Sequence, residues 1–173
     1  GWAEGFVREG YRVVGFDIDP RFAKPYRAAG GEFVLQDVRT LDGHRFRDAR
    51  CIVASPPCTE FSTFTPLREW QHAIMADPEK GMELVRTAFR ICHEAKVPFV
   101  LENVARADRW FQPEFGPPVA RYGAWHLWGS VPFIPQQPRK KMGWYQKAKG
   151  PHNGAFLAMI PRELARAVAR GFL

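Results

Sequence analysis

Short apolar runs alternate with segments of helical periodicity along the first hundred residues of this chain. Helical spacing of apolar positions marks residues 2–9, 20–29 and 79–96. Continuous apolar runs of the kind that form buried strands lie between them, at residues 12–16, 32–35, 51–54 and 97–101. Strands that alternate with helices typically form a mostly parallel sheet with helices on both faces, so the pattern predicts an α/β fold.

The pattern is weaker in the second half. Residues 105–155 are rich in Pro, Gly, Trp and basic groups, and only two short strands, near residues 126–128 and 131–133, are predicted there. A last helix is predicted over residues 162–170, because Pro161 suits the start of a helix. The loop after Cys58 is expected to lack regular structure.

Length and composition narrow the class of protein. A chain of 173 residues with 46% hydrophobic content can bury one sizeable core, so residues 1–173 are expected to form a single domain. The 25 Lys and Arg residues exceed the 18 acidic ones, giving a net charge of +7 that permits a polyanionic partner without demonstrating one. No apolar run is long enough to span a bilayer, so no membrane partner is expected.

The three cysteines, Cys51, Cys58 and Cys92, show no CxxC spacing. They therefore suggest neither a disulfide framework nor a metal site, and they fit a reducing, cytoplasmic setting. Cys51 and Cys92 are interpreted as small buried apolar residues. Cys58 differs, because Pro56 and Pro57 fix the backbone just before it at a strand end, as a nucleophile held for attack requires.

Polar residues follow the predicted strands at the edge where ligands of open α/β sheets gather. Asp17 is placed to accept hydrogen bonds from ribose hydroxyl groups, and Asp37 from the amino group of an adenine. The alternative for each is a turn cap. Glu102 follows an apolar strand, so it is expected to be partly desolvated and able to donate a proton to a ring nitrogen. The alternative for Glu102 is a solvated acid at a strand end.

These segments resemble the cytosine-C5 DNA methyltransferase family, in particular its short, phage-type members. Pro57-Cys58-Thr-Glu-Phe61-Ser62 resembles the family's nucleophile motif, and Glu102-Asn103-Val104 resembles its Glu-Asn-Val motif. Weaker resemblances are found at Gly1-Trp2-Ala-Glu-Gly-Phe6 to the family's glycine-rich loop, at Asp17-Ile18-Asp19 to its second motif and at Gln36-Asp37-Val38 to its third motif. Gln137-Pro-Arg139 partly resembles the Gln-x-Arg-x-Arg motif, and residues 160–169 resemble the C-terminal helix.

The resemblance implies a Rossmann-like methyltransferase fold and a monomeric enzyme without a metal, which uses S-adenosylmethionine to methylate a cytosine flipped out of DNA. The residues that would bind S-adenosylmethionine are Gly1, Trp2, Asp17, Ile18, Asp37, Val38 and Pro56. Those that would act in catalysis are Cys58, Glu102 and Arg139. Those that would bind the substrate are Ser55, Pro57, Phe61, Ser62 and Asn103.

The implied reaction begins with addition of the Cys58 thiolate to C6 of cytosine while Glu102 engages N3, so that C5 can attack the methyl group. Flipping the base requires compensating contacts with DNA. The basic and aromatic candidates for these contacts are Arg106, Arg109, Trp110, Arg121, Trp125, Trp128 and the run 139–141, each of which has a structural alternative as a core or surface residue.

Two departures from the family pattern leave alternatives open. The first strand and the start of the glycine-rich loop are missing, and only a short segment separates Arg139 from Pro161, where the family carries a large target-recognition domain. Low sequence specificity is therefore expected. The alternatives are a related enzyme that transfers another group to C5 or modifies RNA, and a non-catalytic module that binds DNA or cofactor.

Overall fold

The computed structural model describes residues 1–61, 77–134 and 160–173. Its helices are α1 (Trp2–Arg8), α2 (Ala23–Ala28), α3 (Pro78–Ala95), α4 (Asp108–Phe115) and α5 (Arg162–Arg170). Its strands are β1 (Val14–Asp17), β2 (Glu32–Leu35), β3 (Ile52–Ala54), β4 (Phe99–Val104), β5 (Ala120–Tyr122) and β6 (Trp125–Gly129).

The strands form two hydrogen-bonded groups. Strands β1 and β2 pair in parallel, while a second sheet has the order β3-β4-β6-β5. In that sheet β3 and β4 are parallel, whereas β6 runs antiparallel to both β4 and β5. The α/β class predicted from the sequence is therefore confirmed, but the second sheet is mixed.

Helices cover both faces of the four-stranded sheet. Side chains alternate across β4, so that Val100 packs into one core with α1 and α5, while Leu101 packs into another with α3 and α4. The helices α1 and α5 approach closely, because Gly5 offers no side chain where a Cβ atom would overlap Ala165. Residues from the two ends of the chain thus share one core.

The predicted elements differ from the observed ones mainly after residue 98. The strand predicted at 131–133 is wrong: these residues form no strand, Pro132 lacks an amide donor, and Phe133 is 93% exposed. Helix α4 was not predicted, because it contains Pro113, a residue that usually ends helices. None of the described helices combines the length and apolar character needed to cross a membrane.

Candidate active site

Two segments meet at the carboxyl ends of β3 and β4. The parallel register pairs Ala54 with Leu101, so the next residues along each strand, Ser55 and Glu102, also lie side by side. Glu102 lies inside β4, opposite Leu127 of β6, and not beyond the strand end as the sequence suggested. The loop that carries Cys58 leaves β3 at this same edge.

Glu102 is a buried acid with a perturbed protonation equilibrium. Its side chain is 6% exposed, which rules out the alternative of a solvated strand-end acid. Burial disfavours the carboxylate and raises the pKa of Glu102 to about 7, although a hydrogen bond with Ser55 acts in the opposite direction. Glu102 therefore keeps its proton up to about pH 7, well above the range in which an exposed glutamate ionises.

Cys58 is half-buried and electrostatically coupled to Glu102. Burial is the main cause that raises the pKa of the Cys58 thiol, and the negative charge of Glu102 raises it further, whereas the residue's own backbone N–H group lowers it. The Cys58 carbonyl accepts a hydrogen bond from the Phe61 amide at 3.0 Å. The Phe61 ring is buried against Phe111, with ring centroids 5.3 Å apart, which anchors the end of this turn.

Asn103 fixes the loop from behind. Its side chain is 1% exposed, and its Nδ2 atom donates to the Pro56 carbonyl at 3.0 Å. Its Oδ1 atom accepts from the Val104 amide at 2.9 Å. Both polar atoms of Asn103 therefore have protein partners, so the geometry favours a loop-anchoring role alongside the substrate contact predicted from the sequence.

Trp2 reaches the same loop from α1. The indole Nε1 atom donates a hydrogen bond of 2.8 Å to the Ser55 Oγ atom, and the ring packs at the margin of the core shared by α1 and α5. Gly1 precedes the helix as its N-cap and has open space around it. Trp2, Ser55, Cys58 and Glu102 thus belong to one contiguous site.

Asp17 and Ile18 follow β1. The Oδ1 atom of Asp17 accepts a hydrogen bond of 2.8 Å from the Asp19 amide, which is the local role that the sequence offered as an alternative. Ile18 is 64% exposed. Since a carboxylate offers about four acceptor positions, one amide contact leaves capacity for a ligand.

Asp37 follows β2 and caps the short 3-10 turn Val38–Thr40. Its carboxylate accepts from the Arg39 amide and pairs with the Arg39 guanidinium at 2.7 Å, and the side-chain contact with Arg39 is the largest cause that lowers the pKa of Asp37. Asp37 is therefore held as an anion. The capping role and a ligand-binding role are compatible at this position.

The remaining predicted residues fall into two groups. Ser62 and Arg139 lie outside the described residues. Among the candidate DNA contacts, Arg106 and Arg109 are exposed just after β4, and the Arg109 guanidinium lies 5.1 Å from the Trp110 ring centroid. Trp128, by contrast, is buried and donates to the Gly116 carbonyl, so the suggestion that it contacts DNA is wrong.

A buried histidine was missed by the sequence reading. His126 on β6 lies opposite Asn103, and its Nδ1 atom is 2.7 Å from an oxygen of Asp108 at the start of α4. The feature of the sequence that could have indicated it is a polar residue inside the short strand predicted at 126–128. The contact joins β6 to the segment that follows β4.

One further polar group could offer three metal ligands within the part of the chain that the structure describes. It consists of Asp42, His44 and Glu94 on the surface, and it includes neither Cys58 nor Glu102. Glu94 already accepts from the Gly43 amide and pairs with Arg90.

A buried acid coupled to a cysteine, at the carboxyl edge of parallel strands, is typical of the site of an α/β enzyme. Residues 1–108 match the family model described as C-5 cytosine-specific DNA methylase. Because this match covers more than half of the chain, the protein belongs to that family. The matched residues include Cys58 and Glu102. No curated protein and no solved structure gives a significant match.

Proposed function

We propose that this protein transfers the methyl group of S-adenosylmethionine to C5 of a cytosine in DNA, with Cys58 as the nucleophile and Glu102 as the acid. The observation that carries the proposal is the buried Glu102, protonated near neutral pH, beside the half-buried Cys58. A packing role alone gives no reason to keep an acid in an apolar core, since burying it costs free energy.

Glu102 acts as the proton donor to N3 of the cytosine. Within residues 1–61, 77–134 and 160–173, Ser55 is the side chain that lowers the pKa of Glu102, and a carboxyl group with one such partner keeps capacity for a ligand. A proton donated to N3 draws electrons from the ring and makes C6 susceptible to attack. The pKa of about 7 suits this role, because a general acid works best near the operating pH.

Cys58 acts as the thiolate that adds to C6. The addition forms a sulfur–carbon bond and places an electron pair at C5, which then takes up the methyl group. Loss of the C5 proton to water restores the double bond and expels the Cys58 thiolate, and return of the N3 proton to Glu102 regenerates the enzyme. Protonation of Glu102 assists formation of the Cys58 thiolate, because it removes the negative charge that raises the pKa of Cys58.

The described residues fit S-adenosylmethionine at the ends of β1 and β2. Asp17 offers a carboxylate to ribose hydroxyl groups, Ile18 offers an exposed apolar surface to adenine, and Asp37 offers an anionic acceptor. When bound, S-adenosylmethionine supplies an activated methyl group. The residues that would complete this side of the site are Gly1, Trp2, Val38 and Pro56.

The nucleophile loop is held for attack by residues on both sides of it. Pro56 and Pro57 restrict its backbone, Asn103 binds the Pro56 carbonyl, and Phe61 anchors the following turn in the core. A fixed nucleophile lowers the entropy lost in reaching the transition state. Asn103 therefore supports catalysis by positioning.

DNA is proposed to bind along the surface that follows β4. Arg86 and Arg90 of α3 are ion-paired with carboxylates. Arg106 and Arg109, by contrast, form no ion pair with a described residue. Together with the partly exposed Trp110, they offer phosphate contacts and an aromatic surface beside the site, which would offset the cost of flipping the cytosine.

We further propose that the two strand groups belong to one Rossmann-like sheet in a single catalytic domain. Among the described residues, β1 and β3 are each hydrogen-bonded on one side only, by β2 and β4 respectively, and both pairs are parallel. The position between β1 and β3 therefore suits one further parallel strand. The shared core of α1 and α5 supports the single domain.

The covalent step is tested with DNA that contains 5-fluorocytosine, because fluorine at C5 blocks release of the enzyme after methyl transfer. We expect a stable adduct of protein and DNA in the presence of S-adenosylmethionine, and no adduct with Cys58→Ser. Cys51→Ser is the matched control, since Cys51 is also half-buried and burial raises its pKa to about 11. An adduct that persists in Cys58→Ser, or is lost in Cys51→Ser, would contradict the assignment.

A further inference from the structure

Trp2, Ser55 and Glu102 form a chain of polar contacts across three elements of the site. Trp2 lies at the start of α1, Ser55 directly after β3, and Glu102 within β4. The register of β3 and β4 places Ser55 next to Glu102, and the Trp2 indole donates to Ser55 at 2.8 Å.

The chemistry of the indole fixes the direction of this chain. An indole N–H group can only donate, so the Ser55 oxygen must accept from Trp2. The single hydroxyl hydrogen of Ser55 is then available for another acceptor, and the Glu102 carboxyl group belongs to its neighbour in the register of β3 and β4. Without the indole, the hydroxyl group of an exposed serine could rotate toward water.

We propose that Trp2 is a positioning residue that orients the Ser55 hydroxyl group toward Glu102 and thereby tunes the acid of the active site. Its role in methyl transfer rests on the function proposed above. The indole is itself held in place, because its ring contacts Phe6 edge-on at a centroid distance of 6.3 Å and Phe6 is part of the core between α1 and α5.

The consequence is a balance of two opposing effects on Glu102. Burial raises the pKa of Glu102, while the Ser55 hydroxyl group stabilises its anion and lowers that pKa. A donor that is already polarised by accepting a hydrogen bond is a stronger donor. Trp2 and Ser55 together thus keep Glu102 near neutrality, where it can both give up and recover its proton.

The test is a carbon-13 NMR titration of Glu102 in the full-length protein labelled at its glutamate carboxyl groups, with Glu102→Gln to assign the resonance. Ser55→Ala should raise the pKa of Glu102 by about one pH unit, from the usual strength of a hydrogen bond to an anion. Trp2→Phe should raise it in the same direction by a smaller amount. The double variant should match Ser55→Ala, because Trp2 acts only through Ser55.

Two controls make the result specific. Trp128→Phe also removes a buried indole donor, the one to Gly116, and should leave the titration of Glu102 unchanged. Ser55→Thr keeps the hydroxyl group and should titrate like the wild type. An unchanged pKa in Trp2→Phe, or a further increase from Trp2→Phe in the Ser55→Ala background, would overturn the proposal.

The titration needs neither DNA nor methyl transfer, so its outcome is separate from that of the proposed function. The expected shift in a protein that does not methylate DNA would support the contact chain and refute the function. Methylation by the wild type with no shift in Trp2→Phe would refute the contact chain and leave the function standing.

Discussion

Replacing Glu102 with Gln should make the protein more stable at pH 8, although it removes a residue of the active site. The pKa of Glu102 is about 7, against an ordinary value of 4.5, because its carboxylate is buried. A difference of about 2.5 pH units, at about 1.4 kcal/mol each, corresponds to about 3–4 kcal/mol. The cause is that the unfolded chain ionises at Glu102 above pH 4.5 while the folded core retains the proton up to about pH 7, whereas Gln stays neutral in both states.

The two pKa values of Glu102, 4.5 in the unfolded chain and about 7 in the folded protein, set the pH range in which the stability difference appears. Below pH 4.5 Glu102 is protonated in both the folded and the unfolded chain, so the two proteins should be equally stable. As the pH rises toward 7, ionisation of the unfolded chain is favoured, and the wild type should lose stability relative to Glu102→Gln. Above pH 7 the difference should be constant.

Urea unfolding at a series of pH values between 4.5 and 8 measures this difference directly. Glu32→Gln is a useful control, because Glu32 is an exposed acid whose pKa is lowered by its hydrogen bonds with Arg12, so any effect should have the opposite sign. A difference between wild type and Glu102→Gln that does not change with pH would refute the claim that Glu102 is a perturbed acid.

Three further substitutions test the loop anchor, the DNA surface and the packing of α1 on α5. Asn103→Ala should lower the free energy of unfolding by about 1–3 kcal/mol and slow adduct formation, because the Pro56 carbonyl loses its partner. Replacing Arg106 and Arg109 with Ala should weaken DNA binding and reduce the slope of log K against log salt by about 2, if each contacts a phosphate. Gly5→Ala should destabilise the protein by about 1–3 kcal/mol in urea unfolding, because the new methyl group overlaps α5.

Each of these has its own control or contradicting result. Gly1→Ala meets open space and should leave stability unchanged, so a similar loss there would contradict the packing argument. A salt slope that stays the same without Arg106 and Arg109 would place DNA elsewhere. Full adduct formation by Asn103→Ala would show that the loop does not need its anchor.

The sequence predicted the elements of the first hundred residues because their apolar pattern is local and regular. The strand 32–35 has the predicted bounds, and helix α3 differs from its predicted bounds by a residue at each end. After residue 98 the helix over 162–170 has its predicted bounds and β6 covers the strand predicted near 126–128. Helix α4, which has Pro113 inside it, was not predicted, and the segment with Pro132 forms no strand. In helix α4 packing overrides the local preference of proline, whereas at 131–133 the missing amide of Pro132 disfavours the strand that the apolar run suggested.

Part of the site could be predicted because the local apolar pattern also locates the ends of the strands. Strand ends can be located from the apolar runs, so the meeting of Cys58 with Glu102 could be expected. The contacts from Trp2 to Ser55 and from Asn103 to Pro56 join residues about 50 positions apart, and no local pattern indicates them. The burial of Glu102 was underestimated because its partner strand β6 lies in the weakly patterned half.

Methyl transfer to cytosine is measured by incubating the protein, and its Cys58→Ser variant, with DNA and S-adenosylmethionine and analysing the digested nucleosides by mass spectrometry. We expect 5-methylcytosine with the wild type and unmodified cytosine with Cys58→Ser. Unmodified cytosine with both proteins, or 5-methylcytosine with both, would contradict the role of Cys58 as the nucleophile.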